Sequence, residues 1–366
     1  MTMLDFTSVL YLGMHHPHEG LRPWRQLTTG RPAALGSSER AEVTAQALAQ
    51  FLRCEMAALG TSTLHLFWDL FGVLAAEGIT IHVDAGTYPI ARWGVERVKA
   101  NGVFATSFRR HDPASLRTSV GLAGRSRLRP VVVTDGLCPL TGQPAPLFDY
   151  ARIVRDFGGL LVIDDTQAFG ILGKDPSHAE PYGVDGAGTP AWFDLSGPDL
   201  IIVSSLAKGF GAPLALIAGS QLIIEKFKTM SLTRVHCSPP SLASISAGED
   251  ALAINAAQGM ARRRRLIELV RLFQAGLRTI GLSARGSLFP FQTPGRISGA
   301  RAVSLHNALL GTGVRTVLHG ARIGSEALVS FAINALHTPA EIARAFGALR
   351  ECCGRTLEDG MAQLAS

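Results

Sequence analysis

Asp199-Leu-Ile-Ile-Val-Ser-Ser-Leu-Ala-Lys-Gly-Phe-Gly211 is an apolar run of strand length that ends in two serines, a lysine and a glycine-rich turn. A continuous apolar run bounded by turn residues is the pattern of a strand buried on both faces, as in a parallel sheet. A second run of this kind, Gly159-Leu-Leu-Val-Ile-Asp-Asp-Thr-Gln-Ala-Phe-Gly170, ends in the pair Asp164 and Asp165. Ile79–Val83 and Arg129–Thr134 also read as strands, and helical patterns such as Phe148–Phe157 lie between them. This alternation predicts an α/β fold with a mostly parallel sheet and crossover helices.

At 366 residues and 47% hydrophobic content, the chain exceeds the size of one ordinary core, so two domains are expected. We expect an N-terminal arm over 1–40, a large domain over 41–238, and a linking helix with a smaller α+β C-terminal domain over 239–366. The linker is read from the helical stretch Ser241–Ile280, which only Gly248, Gly259 and Gly276 interrupt. Ala327–Ile333 reads as a strand of the smaller domain. Thr338, Pro339 and Glu341 form a helix-start signature, cap, first-turn proline and capping box, and the final helix is expected to end near Arg350.

Several classes are disfavoured. The apolar stretches are far shorter than the roughly 20 residues that span a bilayer. Met1–Tyr11 carries Asp5 and lacks an export signal's basic flank and apolar core, so a cytoplasmic enzyme without a membrane partner is expected. Cys54, Cys138, Cys237, Cys352 and Cys353 show no paired ligand spacing, which argues against a disulfide framework or a metal site. The net charge of +6 is a weak bias toward phosphate-rich partners such as coenzyme A, an acyl carrier protein or nucleic acid. The basic run Arg262–Arg265 has no interleaved aromatics, so it reads as a solvated helix face and no nucleic-acid partner is expected.

Open parallel sheets bind ligands beyond the carboxyl ends of their strands. Asp164 stands at such an end, poised either to meet a ligand or to cap the next turn. Lys208 stands at another, where apolar flanks would favour the neutral amine that forms Schiff bases, and Gly209 and Gly211 leave room for a ligand. A plain loop lysine is the alternative. The third place is Ala57-Ala-Leu-Gly-Thr-Ser-Thr-Leu-His65, which leads into a helix. Its backbone N–H groups and the hydroxyls of Ser62 and Thr63 would suit a phosphate, although an ordinary N-cap explains them too.

Taken together, Thr134-Asp-Gly-Leu-Cys-Pro-Leu-Thr-Gly142, Val162-Ile-Asp-Asp-Thr-Gln-Ala-Phe-Gly-Ile-Leu-Gly173 and Ser204-Ser-Leu-Ala-Lys-Gly-Phe-Gly211 resemble the α-oxoamine synthase family. These are fold-type I enzymes, aspartate-aminotransferase-like, that depend on pyridoxal 5'-phosphate (PLP), and the resemblance extends from about Asp5 to Leu349. It implies that Lys208 holds the cofactor as a Schiff base and that Asp164 faces its pyridine nitrogen. It further implies that Ser205, Ser62, Thr63 and the amide of Leu64 hold the phosphate. The implied reaction condenses an acyl thioester, of coenzyme A or an acyl carrier protein, with an amino acid or amine, in a homodimer.

The chain departs from the family pattern at four positions. Gln167 stands where the family has a histidine, and Tyr88 where a histidine stacks on the cofactor; an amide and a phenol are poor proton donors near neutral pH. Val9 replaces the arm asparagine, and the strand Ala327–Ile333 lacks the arginine that grips the substrate carboxylate, leaving Arg315 or Arg322 as substitutes. These departures keep two alternatives open: an aminotransferase, in which Lys208 alone moves the proton, and a non-catalytic partner subunit.

Overall fold

The structure, a computed structural model, describes residues 3–16, 26–123, 128–295, 297–320 and 326–364, with side chains to 353. The chain forms two compact units. The larger comprises Met14–Cys138 and Pro144–Gly259; the smaller comprises Met1–Gly13, Pro139–Gln143 and Met260–Ser366.

The larger unit is built on a seven-stranded sheet in the order Met56–Gly60, Ala215–Gly219, Leu200–Ser205, Leu160–Asp164, Arg129–Asp135, Ile79–Asp84, Phe104–Phe108. Only Ala215–Gly219 runs antiparallel to its neighbours. Alternate residues of the central strands bury into two separate cores. Val131, Val133, Leu160, Val162, Ile201 and Val203 pack with Phe67, Phe71, Val95 and Phe227 on one face. Val132, Leu161 and Ile163 pack with Leu116, Tyr150 and Val154 on the other. Burial on both faces is the physical reason that these strands are apolar throughout rather than at every second position.

The smaller unit holds a four-stranded antiparallel sheet in the order Ala284–Arg285, Phe291–Pro294, Leu328–Ala332, Val317–His319, with helices Ala300–Gly311 and Pro339–Leu364. Its N-terminal strand, Leu4–Asp5, pairs in parallel with Val314–Arg315. The expected capping box is present: Glu341 accepts from the Thr338 N–H at 2.7 Å, and the Thr338 hydroxyl accepts from the Glu341 N–H at 3.2 Å. The long helix, Leu242–Thr279, lies within one residue of each expected end.

Two readings are corrected. The final helix does not stop near Arg350 but continues to Leu364, because the sequence beyond it contains helix formers and no proline. The run Arg262–Arg265 is a solvated face only in part, since Arg264 and Arg265 are exposed and the other two are not. Arg263 is buried, Arg262 donates to the carbonyls of Leu12 and Gly13 at 2.9 Å each, and Arg265 donates to those of Ala335 and His337 at 2.6 and 2.9 Å. Guanidinium groups here satisfy carbonyls that no strand partner reaches. Among the described residues no helix is long and apolar enough to cross a membrane, and all five cysteines are free.

A buried polar pair, His82 and Thr80, borders the second core. His82 is fully buried in the strand Ile79–Asp84, with Nδ1 2.8 Å from the Ser119 hydroxyl and Nε2 3.1 Å from that of Thr80. Burial lowers its pKa to about 4. Between that value and the ordinary 6.5 the unfolded chain binds a proton that the folded chain refuses, so stability falls as the pH falls through this window. Urea unfolding at pH 7 and pH 4.5 is expected to show a loss of about 2 kcal/mol from this residue. In His82→Asn the loss over the same interval shrinks by that amount; an unchanged slope refutes the assignment.

Candidate active site

Six of the seven strands run in one direction, so their carboxyl ends line one edge of the sheet. The order of residues along that edge follows from register. Gly60 pairs with Ala215, and Ala215 with Ser205. Asp164 pairs with Val203 on one side and with Asp135 on the other. Asp84 closes the next strand. The segments carrying Ser62, Thr63 and Leu64, then Ser205 and Lys208, then Asp164 and Gln167, and finally Tyr88 therefore all leave from the same edge.

The segment after Gly60 enters the helix Thr63–Ala75, with Ser62 as its N-cap. The Ser62 hydroxyl accepts from the His65 N–H at 3.4 Å and lies 3.0 Å from His65 Nδ1. The first helical bond runs from the Leu66 N–H to the Ser62 carbonyl. The N–H groups of Thr63 and Leu64 precede that bond and have no acceptor within the helix, which suits them to an anion.

Lys208 is half-buried in a tight turn after the strand Leu200–Ser205, in which the Ala207 N–H reaches the Ser205 hydroxyl at 3.3 Å and the Leu206 N–H the Leu214 carbonyl at 2.8 Å. Burial lowers its pKa, against the opposing charges of Asp164 and Asp135. Burial raises that of Asp164, against the hydroxyl and N–H of Thr166 and the charge of Lys208. Thr166 also links the two strand ends, because its hydroxyl accepts from the Ser205 N–H at 3.1 Å. Gln167 is half-buried in the turn that follows Asp164, and Tyr88 is exposed at the head of the helix Pro89–Ala100.

Asp164 and Asp165 do different things. Asp165 is fully buried and accepts from the N–H and hydroxyl of Thr189, which opens the short helix Thr189–Trp192. A side chain at Gly136 or Gly188 would occupy the space of the Asp165 carboxyl. Asp165 is therefore a brace inside the fold, while the charge of its neighbour Asp164 acts on Lys208.

Sequence reasoning passed over Asp135. Its N–H partner is Tyr88, which donates to both carboxyl oxygens at 3.0 and 3.1 Å. The signal was available, since Asp135 also follows an apolar strand directly, just as Asp164 does. Gly209, expected to leave room for a ligand, has a packing role that the sequence does not reveal. A Cβ there would stand 2.3 Å from the Phe169 carbonyl, so the glycine lets the Lys208 turn pack against the loop that follows Asp164. Of the two arginines considered as carboxylate anchors, Arg315 has Nη1 3.9 Å from Asp5, and Arg322 lies outside the described residues.

A desolvated lysine and a carboxyl beyond neighbouring strands of such a sheet fit the class of fold-type I PLP-dependent transferases. Residues 36–349 match the family described as aminotransferase class I and II, and the chain belongs to that family. The 8-amino-7-oxononanoate synthase of Marinobacter nauticus is 28% identical over 366 residues, covering 95% of this chain and 86% of that protein. Among solved structures, a lysine-to-alanine variant of serine palmitoyltransferase from S. paucimobilis, with bound PLP-myriocin aldimine, superposes with a TM-score of 0.82 at 18% identity. It covers 98% of this chain and 88% of its own. The 8-amino-7-oxononanoate synthase from Francisella tularensis superposes at 0.73 and 17% identity, over 97% of this chain and 99% of that one.

The packing role of Gly209 has a direct test. Gly209→Ala is expected to lower stability by roughly 1–3 kcal/mol, the usual cost of overpacking, as a fall in melting temperature of the protein without added cofactor. Unchanged stability would return the position to the ligand.

Proposed function

We infer that the chain is a PLP-dependent transferase of the α-oxoamine synthase type, which condenses an acyl thioester with an amino acid. The observation that carries this reading is the placement of Lys208 and Asp164 beyond neighbouring strands at the sheet edge, where their charges act on each other. The side chains fit the cofactor. Lys208 supplies an amine short of water for the aldehyde, Asp164 a carboxyl for the pyridine nitrogen, and Tyr88 an exposed ring for stacking. The Ser205 hydroxyl, Ser62, Thr63 and the Leu64 N–H form the phosphate end, and Gln167 offers an amide to the phenolic oxygen.

Bound there, PLP withdraws electrons from the bonds at the α-carbon of the amino substrate. The Lys208 amine would take the α-proton of the amino substrate, and burial, which lowers its pKa, favours the neutral form that acts as a base. Asp164 holds the charge that keeps the pyridine nitrogen protonated. A carbon–carbon bond then forms at the α-carbon, the acyl–sulfur bond breaks, and the thiol leaves with a proton. The thioester donor is a coenzyme A derivative or an acyl carrier protein, in line with the net charge of +6.

Borohydride treatment of the protein with PLP is expected to fix the cofactor on Lys208, with no labelling in Lys208→Ala. With an acyl thioester and the correct amino acid, free thiol should appear without exchange of the amino group onto a keto acid. The second reading, amino-group transfer, is favoured by Tyr88 and Gln167, which replace two titrating imidazoles; amine exchange without thiol release would establish it instead.

A two-fold dimer is part of the proposal. Leu64, Trp68 and Trp93 are 36%, 39% and 54% exposed, on the paired helices Thr63–Ala75 and Pro89–Ala100, the first of which begins at the phosphate end of the site. Arg97 bridges them, 4.6 Å above the Trp68 ring. A second copy covering this aromatic face would place its own chain beside the phosphate end. The double exchange Trp68→Glu, Trp93→Glu is expected to shift sedimentation from dimer to monomer, and a dimer unaffected by it would place the contact elsewhere.

A further inference from the structure

We propose that Asp135 is the proton-holding carboxyl of this site, a neutral acid that replaces the titrating imidazole absent at positions 88 and 167. This deepens the PLP-dependent reading and rests on it only for what the acid serves.

The placement is fixed by the sheet. Asp135 ends the strand Arg129–Asp135 in register with Asp164, so two carboxyls leave neighbouring strands side by side. Asp84 ends the strand on the other side. The charged groups acting on Asp135 are therefore Asp164, Asp84 and Lys208: three carboxyls, counting its own, against one ammonium. Two carboxyls at neighbouring strand ends in a poorly hydrated place cannot both be ionised cheaply, so one of Asp135 and Asp164 is better off protonated.

Hydrogen-bond donors decide which one. Asp84 accepts from the Gly86 N–H at 2.7 Å, the His111 N–H at 3.0 Å and the Tyr150 hydroxyl at 2.8 Å. Asp164 has the Thr166 N–H at 3.1 Å, the Thr166 hydroxyl and the charge of Lys208. Asp135 has the Tyr88 N–H alone among the described residues, shared between its two oxygens. The carboxyl with the fewest donors is the one that keeps the proton. In agreement, burial first and Asp164 second push its pKa up to about 8.

Such an acid is neutral at the pH where Lys208 acts as a base. It is only half-buried, so its O–H is accessible as a hydrogen-bond donor, and it titrates where neither a phenol nor an amide does. Asp135 also holds the main chain of Tyr88, so the stacking ring and the acid are positioned by one contact.

The test is a carbon-13 titration of the full-length protein labelled at aspartate carboxyls, with and without PLP, the Asp135 signal being identified by its loss in Asp135→Asn. A midpoint near pH 8 is expected for the protein without cofactor; a midpoint below about pH 5, in the ordinary carboxylate range, overturns the proposal. In turnover, the pH profile of kcat/KM should lose its limb near pH 8 in Asp135→Asn and regain it in Asp135→Glu; a limb retained in Asp135→Asn also overturns it. Should the asparagine variant fold poorly, the signal is assigned by selective relaxation near Tyr88 and the wild-type titration decides. Failure of borohydride to label Lys208 in the wild type would refute the cofactor reading and leave the carboxyl titration standing.

Discussion

A lysine amine kept short of water and faced by two carboxyls is the constraint around which this chain is organised. In water Lys208, Asp164 and Asp135 would each hold an ordinary charge; burial at the sheet edge depresses the amine and raises both acids. Parallel strands bring the three together without any of them being close in sequence. Helices on both faces of the sheet remove the water, and Gly209 lets the lysine turn seat against the loop beyond Asp164.

Polar residues at the strand ends divide into those that build the edge and those left to act on a ligand. Asp84 is occupied by three donors from three segments, and Asp165 by a single threonine that opens a short helix. Thr166 has a different place, since it bonds both Asp164 and the strand that leads to Lys208. Moving Thr166 would therefore shift both Asp164 and the end of the strand before Lys208. The smaller unit shows the same economy in its arginines, which answer main-chain carbonyls instead of water.

Much of the fold was legible because the signals were local. Apolar runs marked four of the central strands, the helical period marked Leu242–Thr279, and Thr338 with Glu341 marked a helix start that the hydrogen bonds reproduce. Readings failed where the partner was distant in sequence. Arg262 looked solvated because its acceptors, Leu12 and Gly13, lie some 250 residues away. Gly209 looked like space for a ligand because nothing near it in sequence reveals the Phe169 carbonyl.

The α/β class, the strand ends and the candidate lysine were determined by the sequence itself, because burial on two faces and turn chemistry are written in consecutive residues. Which carboxyl does what was decided only by tertiary structure. Asp84, Asp135, Asp164 and Asp165 all end or follow apolar strands, and in the sequence only the family resemblance singled out Asp164. Strand register and the number of donors each one meets assign two as braces, set one opposite Lys208, and leave the last with a single N–H. Those quantities depend on segments that only folding brings into contact.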